Sequence, residues 1–154
     1  MNINLNKKGF TLIELIVVIT IIGILSSLSF MAFFNKKTEL KKEAIALYNN
    51  LQYAKIYAIK NRQNVTVTFY PDNNYYVIQF SDNNSRRYDL GDNVEFGDGN
   101  GHTVSFDNTN PPKETFTPLG ISKYAGSIYL KLKNSVNYLF IISVNLNGRI
   151  IIQD

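Results

Sequence analysis

A single carboxylate stands inside the longest apolar stretch of this chain. Glu14 is the only charge in about 25 residues that follow Lys7, Lys8 and Gly9. A helix of that length, at about 1.5 Å per residue, spans roughly 37 Å, which is enough to cross a hydrocarbon core of about 30 Å. A carboxylate inside such a span costs about 2.5–3.5 kcal/mol, so we expect Glu14 to have a cationic partner.

The position of Gly9 indicates where that partner arises. The apolar run is too long for a secretory signal, and no A-x-A cleavage site follows it. A peptidase that cut between Gly9 and Phe10 would remove the basic leader and leave the apolar segment in place. The new α-amino group of Phe10 would then lie about one helical turn from Glu14.

The segment from Lys7 to Leu15, KKGFTLIEL, resembles the class III leader of type IV pilins and of the pseudopilins of type II secretion. The resemblance implies cleavage after Gly9 by a prepilin peptidase and methylation of the Phe10 amine. It also implies that Glu14 meets the Phe10 amine of a neighbouring subunit as a filament grows. The physics agrees, because a buried carboxylate and a buried ammonium each need an opposite charge. The alternative is a plain signal anchor with no filament role.

The residues that follow extend this stretch as one helix. Apolar residues recur at steps of four and three, which marks one face of a helix. They are Leu40, Ala44, Leu47, Leu51, Ala54 and Ala58. We therefore predict a helix from about Phe10 to about Asn61, apolar all round in its first half and amphipathic in its second.

From Asn64 onward the pattern changes to a period of two, which is typical of strands. The strand candidates are Val65–Phe69, Tyr75–Phe80, Arg86–Leu90, Val94–Phe96, His102–Phe106, Glu114–Thr117, Ile128–Lys133, Val136–Val144 and Arg149–Gln153. A long helix followed by antiparallel strands predicts an α+β fold. We expect the sheets to pack on the helical stripe led by Leu47 and Leu51.

These boundaries divide the chain into four segments. We predict a cleaved leader at 1–9, a transmembrane and filament-core helix at 10–34, an amphipathic continuation at 35–62 and a globular β domain at 63–154. The resemblance implies a pilin-like fold and a single-pass protein of the bacterial inner membrane with its body in the periplasm. It also implies four kinds of partner, namely other pilins or pseudopilins, the prepilin peptidase, the inner-membrane assembly platform and, before assembly, membrane lipid.

The composition argues against an enzyme. The chain has no cysteine and its only histidine is His102, so a His/Cys metal site and a thiol nucleophile are excluded. Asp92, Asp98 and Asp107 could gather calcium, but their spacing is not that of an EF-hand, and a glycine-rich turn is the better interpretation. We expect no cofactor.

Three later motifs resemble the GspH/FimT family of minor pseudopilins and minor pilins. They are Ala54–Asn61 at the helix end, Phe116–Gly120, and Asn147–Ile150 near the C terminus. The resemblance implies a structural minor subunit that helps to initiate assembly at or near the filament tip. Turn chemistry alone also accounts for Gly120 and Gly148, taken one at a time.

The alternative function is that of a DNA-binding minor pilin in a natural-transformation pilus. Some family members used in DNA uptake carry Gly-Arg-x-Arg near the C terminus, whereas here Gly148 and Arg149 are followed by two isoleucines. The sequence pI is 9.2. From Thr38 onward, however, twelve Lys or Arg stand against eleven Asp or Glu, so we expect little phosphate binding. The residues to test for DNA binding are Arg149, Arg86, Arg87 and Lys131.

Overall fold

The computed structural model describes residues 11–81, 84–107, 109–135 and 139–154, of which residues 27–35 and 81 are described by backbone alone. The chain opens with helix α1 (Leu12–Asn61). The strands that follow are β1 (Val65–Tyr70), β2 (Tyr75–Ser81), β3 (Asn84–Asp89), β4 (Val94–Phe96), β5 (Val104–Ser105), β6 (Lys113–Phe116), β7 (Gly126–Leu132), β8 (Leu139–Val144) and β9 (Ile150–Gln153). The predicted α+β fold is confirmed.

The chain forms two compact units, Met1–Asn35 and Lys36–Asp154. In the second unit, all six residues of the predicted helical stripe are fully buried; they are Leu40, Ala44, Leu47, Leu51, Ala54 and Ala58. They share one hydrophobic core with inward-facing residues of the strands, such as Val67, Phe69 and Ile128. The 3.6-residue period of an amphipathic helix therefore placed this face correctly.

Helix α1 ends in a Schellman motif. Arg62 adopts the left-handed conformation with φ 53°. Its backbone N–H donates to the carbonyl of Ile59, and the N–H of Gln63 donates to the carbonyl of Ala58 at 3.2 Å. This pair of bonds satisfies carbonyls that the helix leaves open and turns the chain into β1.

Two antiparallel sheets complete the second unit. One has the strand order β3-β2-β1-β6, and the other has the order β4-β7-β8-β9, with β5 also paired to β7. In the first sheet, Val67 of β1 lies opposite Glu114 of β6. In the second, Ile128 of β7 lies opposite Ile142 of β8. In β1 and β7, buried side chains alternate with half-buried ones, as period-two strands require.

Most predicted strand ends differ from the observed ones by one or two residues, and the two strands predicted at 102–106 and 136–144 differ most in length from those observed. The strand predicted at His102–Phe106 is reduced to Val104–Ser105. The reason is local, because the N–H groups of Asn100 and His102 donate to Asp98 Oδ1 and turn the backbone into a loop. The first residues of the strand predicted at 136–144 lie outside the described residues, and β8 begins at Leu139.

No helix within the described part of the chain is long and apolar enough to cross a membrane. The span predicted at residues 10–34 includes positions that the structure leaves undescribed.

Candidate functional site

Glu14 lies in the first turn of α1, where it forms a capping box with Thr11. Its Oε2 accepts the backbone N–H of Thr11 at 2.8 Å and the Thr11 hydroxyl at 3.0 Å. In return, Thr11 Oγ1 accepts the backbone N–H of Glu14 at 3.3 Å. These donors are neutral, so they orient the carboxylate without cancelling its charge. The predicted cleavage and methylation positions, Gly9 and Phe10, lie outside the described residues.

The helix around Glu14 presents apolar side chains on all its faces. The large exposed ones are Leu12, Ile13, Leu15, Ile16, Val17, Val18, Ile19, Ile21, Ile22, Ile24 and Leu25. A helix that is hydrophobic all round is expected to be buried in lipid or among other helices. The sequence therefore places one charged group at the capped start of a helix that needs apolar surroundings.

The structure brings the three later motifs of the sequence together. We name the region that they form the motif junction; it comprises residues 54–62, 117–125 and 145–149. The Nζ of Lys55 donates to the carbonyl of Gly148 at 2.8 Å. The N–H of Ser122 donates to the carbonyl of Leu146 at 3.1 Å. Segments far apart in the sequence thus form one continuous surface at the end of α1.

Two glycines make this close approach feasible. Gly120 and Gly148 have φ of 74° and 75°, a region that favours glycine. A Cβ on Gly148 would lie 1.9 Å from the Gly120 carbonyl oxygen, and one on Gly120 would lie 2.8 Å from Ile59 Cδ1. Turn chemistry explains each φ, but packing explains the lack of room for a side chain, since Gly148 lies against the Gly120 loop and Gly120 lies against Ile59 of α1.

Sequence reasoning missed the buried carboxyl of Glu114. Its side chain is fully buried, and its Oε2 has no hydrogen-bond partner. Burial raises the pKa of Glu114 to about 7, against the lowering effect of hydrogen bonds from the Ser122 hydroxyl and the Thr115 N–H. The alternation within β6 could have indicated this burial, because Glu114 occupies an inward position two residues before the buried Phe116.

The Ser122 hydroxyl connects Glu114 to the loop between β6 and β7. Ser122 Oγ lies 2.7 Å from Glu114 Oε1 and also within hydrogen-bond distance of the Tyr124 carbonyl oxygen. A hydroxyl has one proton, so it donates to one of these oxygens only. The Ser122 hydroxyl thus holds the buried carboxyl of Glu114 against the loop between β6 and β7. A hydrogen bond that it donates to Glu114 Oε1 favours the charged carboxylate and so lowers the pKa of Glu114.

The four residues named for DNA binding are spread over both sheets. Arg86 and Arg87 lie on the edge strand β3, where the Arg87 guanidinium pairs with Asp89 and stacks 3.8 Å from the centre of the Tyr75 ring. Lys131 lies on β7 and pairs with Glu95 at 2.8 Å. Arg149 is exposed in the turn between β8 and β9. Lys131 and Arg87 thus already have carboxylate partners within the chain.

The loop around His102 is held together by its own hydrogen bonds. Asp98 Oδ2 lies 2.6 Å from His102 Nδ1, and its Oδ1 accepts two backbone N–H groups. In the part of the chain that the structure describes, no three His, Cys, Asp or Glu residues form a group that could hold a metal ion. Asp98 acts here as a turn-forming side chain.

The fold and the capped Glu14 define the class of pilin-like proteins, a long N-terminal helix packed on antiparallel sheets. Two family models match the chain: the prokaryotic N-terminal methylation motif at residues 4–30 and Type II transport protein GspH at residues 43–148. The chain belongs to the GspH family, and its role is that of a structural minor pseudopilin or minor pilin. This confirms the resemblance read from the sequence motifs.

Solved structures share the fold. The type IV minor pilin FimU of Pseudomonas aeruginosa is 19% identical, with a TM-score of 0.56 over 79% of this chain and 92% of that one. The minor pseudopilin EpsH from the Type 2 Secretion System of Vibrio cholerae is 15% identical, with a TM-score of 0.58 over 75% of this chain and 96% of that one. No curated protein matches the chain significantly.

Proposed function

We propose that this chain is a minor subunit of a type II secretion or type IV pilus filament and helps to initiate its assembly at or near the tip. The observation that carries the proposal is the carboxylate of Glu14 at the capped start of an all-apolar helix. The match to the N-terminal methylation motif at residues 4–30 supports it.

Glu14 has the chemistry that subunit addition needs. Its bonds to Thr11 supply neutral donors only, so moving the helix into an apolar filament core leaves a negative charge without a counter-charge. The amine of Phe10 from a neighbouring subunit, freed by cleavage after Gly9, would supply that charge. Subunit entry is then favoured where such an amine is present and disfavoured elsewhere.

We also propose a place for the subunit in the cell envelope. Before assembly, residues 10–34 would span the inner membrane once, with the folded unit in the periplasm. The prepilin peptidase would remove residues 1–9, and the inner-membrane assembly platform would move the subunit into the filament. The subunit acts through packing and charge rather than as an enzyme.

A substitution at Glu14 tests this proposal cleanly. Glutamine at the same helix position retains the capping box but lacks the charge, so Glu14→Gln removes only the electrostatic partner. We expect Glu14→Gln to be processed normally and to be lost from sheared filaments. The matched control is Thr11→Ala, which weakens the cap but keeps the carboxylate and is expected to assemble. Wild-type incorporation of Glu14→Gln would contradict the proposal.

A further inference from the structure

The motif junction combines exposed apolar side chains with an unbalanced set of cations. In the described part of Lys36–Asp154, the large exposed hydrophobic residues are Ile45, Tyr53, Ile56, Ile59, Leu119, Ile121 and Leu146. Five of these seven belong to the motif junction, and Leu119 is 82% exposed. Clustered apolar exposure of this kind marks an interaction surface rather than scattered surface residues.

The charge of the motif junction has one sign. Its segments contain Lys55, Lys60, Arg62, Lys123 and Arg149, and no aspartate or glutamate. The ion pairs seen among the described residues, Arg87–Asp89, His102–Asp98 and Lys131–Glu95, all lie elsewhere. The chain from Thr38 onward, which is nearly neutral as a whole, therefore concentrates positive charge around one apolar centre, and this favours an acidic partner.

We propose that the motif junction is a docking surface for the folded domain of a different pilin-like subunit, one that presents an apolar centre with an acidic rim. This inference rests on the proposed function. The exposed Leu119, Ile121 and Leu146 would enter the apolar centre of the partner, and the surrounding lysines and arginines would face its carboxylates. The apolar contacts hold the complex, while the charges set the approach and the orientation.

The structure favours a protein over a membrane or a nucleic acid. Ile59 lies 23 residues after Lys36 along α1, which is about 35 Å of helix. The motif junction therefore includes the C-terminal end of α1, whereas the predicted membrane segment precedes Lys36 in the sequence. Leu119, Ile121 and Leu146 contribute nothing to phosphate binding, which depends on cations.

The structure also favours a different subunit over a second copy. The acidic residues of this chain lie outside the motif junction, as at Asp72, Asp89 and Asp92. Within the described residues of Lys36–Asp154, two large exposed hydrophobic residues lie outside the motif junction, Ile45 and Tyr53. Tyr53 adjoins the junction, one helical turn before Ile56, so Ile45 alone is far from it. A second copy thus offers carboxylates without an apolar centre to match.

Photo-crosslinking in the native cell tests the docking surface with the full chain. A benzoylphenylalanine at position 119 is expected to form an adduct with another pilin-like subunit, within a segment that contains acidic and apolar residues. The same probe at Ile45, which is exposed on α1, is the matched control. Replacing Arg149 and Lys123 with glutamate should reduce the adduct about tenfold. The control that replaces Lys113 and Lys133 with glutamate makes the same charge change at two exposed sites outside the motif junction and should leave the adduct unchanged.

Several outcomes would overturn the inference. They are an adduct with a second copy, with lipid or with nucleic acid, or a yield at position 119 no higher than at position 45. Two further measurements on the same sample distinguish a failure of the docking surface from a failure of the proposed function. They are the mass of the N terminus and the amount of the subunit in sheared filaments. A processed, assembled subunit without the adduct refutes only the docking surface, and a subunit that never assembles refutes both. Thermal melting of each variant shows that it is folded.

Discussion

Removing the carboxyl of Glu114 should change how the stability of this protein depends on pH. Burial raises the pKa of Glu114 from 4.5 to about 7 in the folded chain. The folded state therefore holds a proton that the unfolded state has already lost. The resulting stabilisation is complete below about pH 4.5 and is lost as pH rises through about 7. At about 1.4 kcal/mol per pKa unit, the loss is about 3 kcal/mol.

That magnitude is measurable because small domains have unfolding free energies of only about 5–15 kcal/mol. Chemical unfolding of the full chain in detergent, at pH values from about 5 to about 8, should show stability falling across this window. The variant Glu114→Leu fills a similar volume without an ionisable group and should lose most of the slope. A smaller slope of the same sign should remain from Glu43, since burial raises its pKa as well.

A matched control separates this effect from a general change in charge. Asp72→Asn removes an exposed carboxylate from the turn after β1 and should leave the slope in place. Ser122→Ala should keep the slope and move it to higher pH, because the Ser122 hydrogen bond lowers the pKa of Glu114. Equal slopes in wild type and Glu114→Leu would refute the assignment of a proton to this carboxyl.

Three further substitutions test the packing, each by unfolding free energy. Gly148→Ala places a Cβ 1.9 Å from a carbonyl oxygen and should cost more than about 2 kcal/mol. Its control is Gly101→Ala, at φ 97° with open space around it, which should cost about 1 kcal/mol. Equal costs would contradict the close approach of the loops. Leu51→Ala leaves a cavity in the core and should cost about 2–5 kcal/mol, and a loss below about 1 kcal/mol would contradict its burial. Lys55→Met removes the 2.8 Å bond to Gly148 and should cost about 1–2 kcal/mol, so an unchanged stability would show that this bond contributes nothing.

The main features of the fold could be predicted because they depend on local periodicity. The buried stripe that begins at Leu40 follows the helical period, and β4 has the predicted bounds Val94–Phe96. The strand predicted at His102–Phe106 was too long, because the competing bonds to Asp98 depend on the loop geometry. Alternation of side chains marks a strand but does not say where turn hydrogen bonds end it.

The site residues divide in the same way. Glu14 could be recognised from sequence because a single charge in an apolar run is unusual. Glu114 was missed because one acidic residue in a short strand looks like a surface residue, although its position two residues before Phe116 places it on the inward face of β6. The packing of the loop around Ser122 completes its burial. The motif junction was found as three separate motifs, since their contact depends on long-range packing between Gly120 and Gly148.

The most direct test of the account is the mass of the N terminus of the native protein, taken from membranes and from sheared filaments. We predict a chain that begins at Phe10 with a methylated amine in both fractions. A native chain that still begins at Met1 would contradict the processing step, and with it the pairing of Glu14 with the amine of a neighbouring subunit.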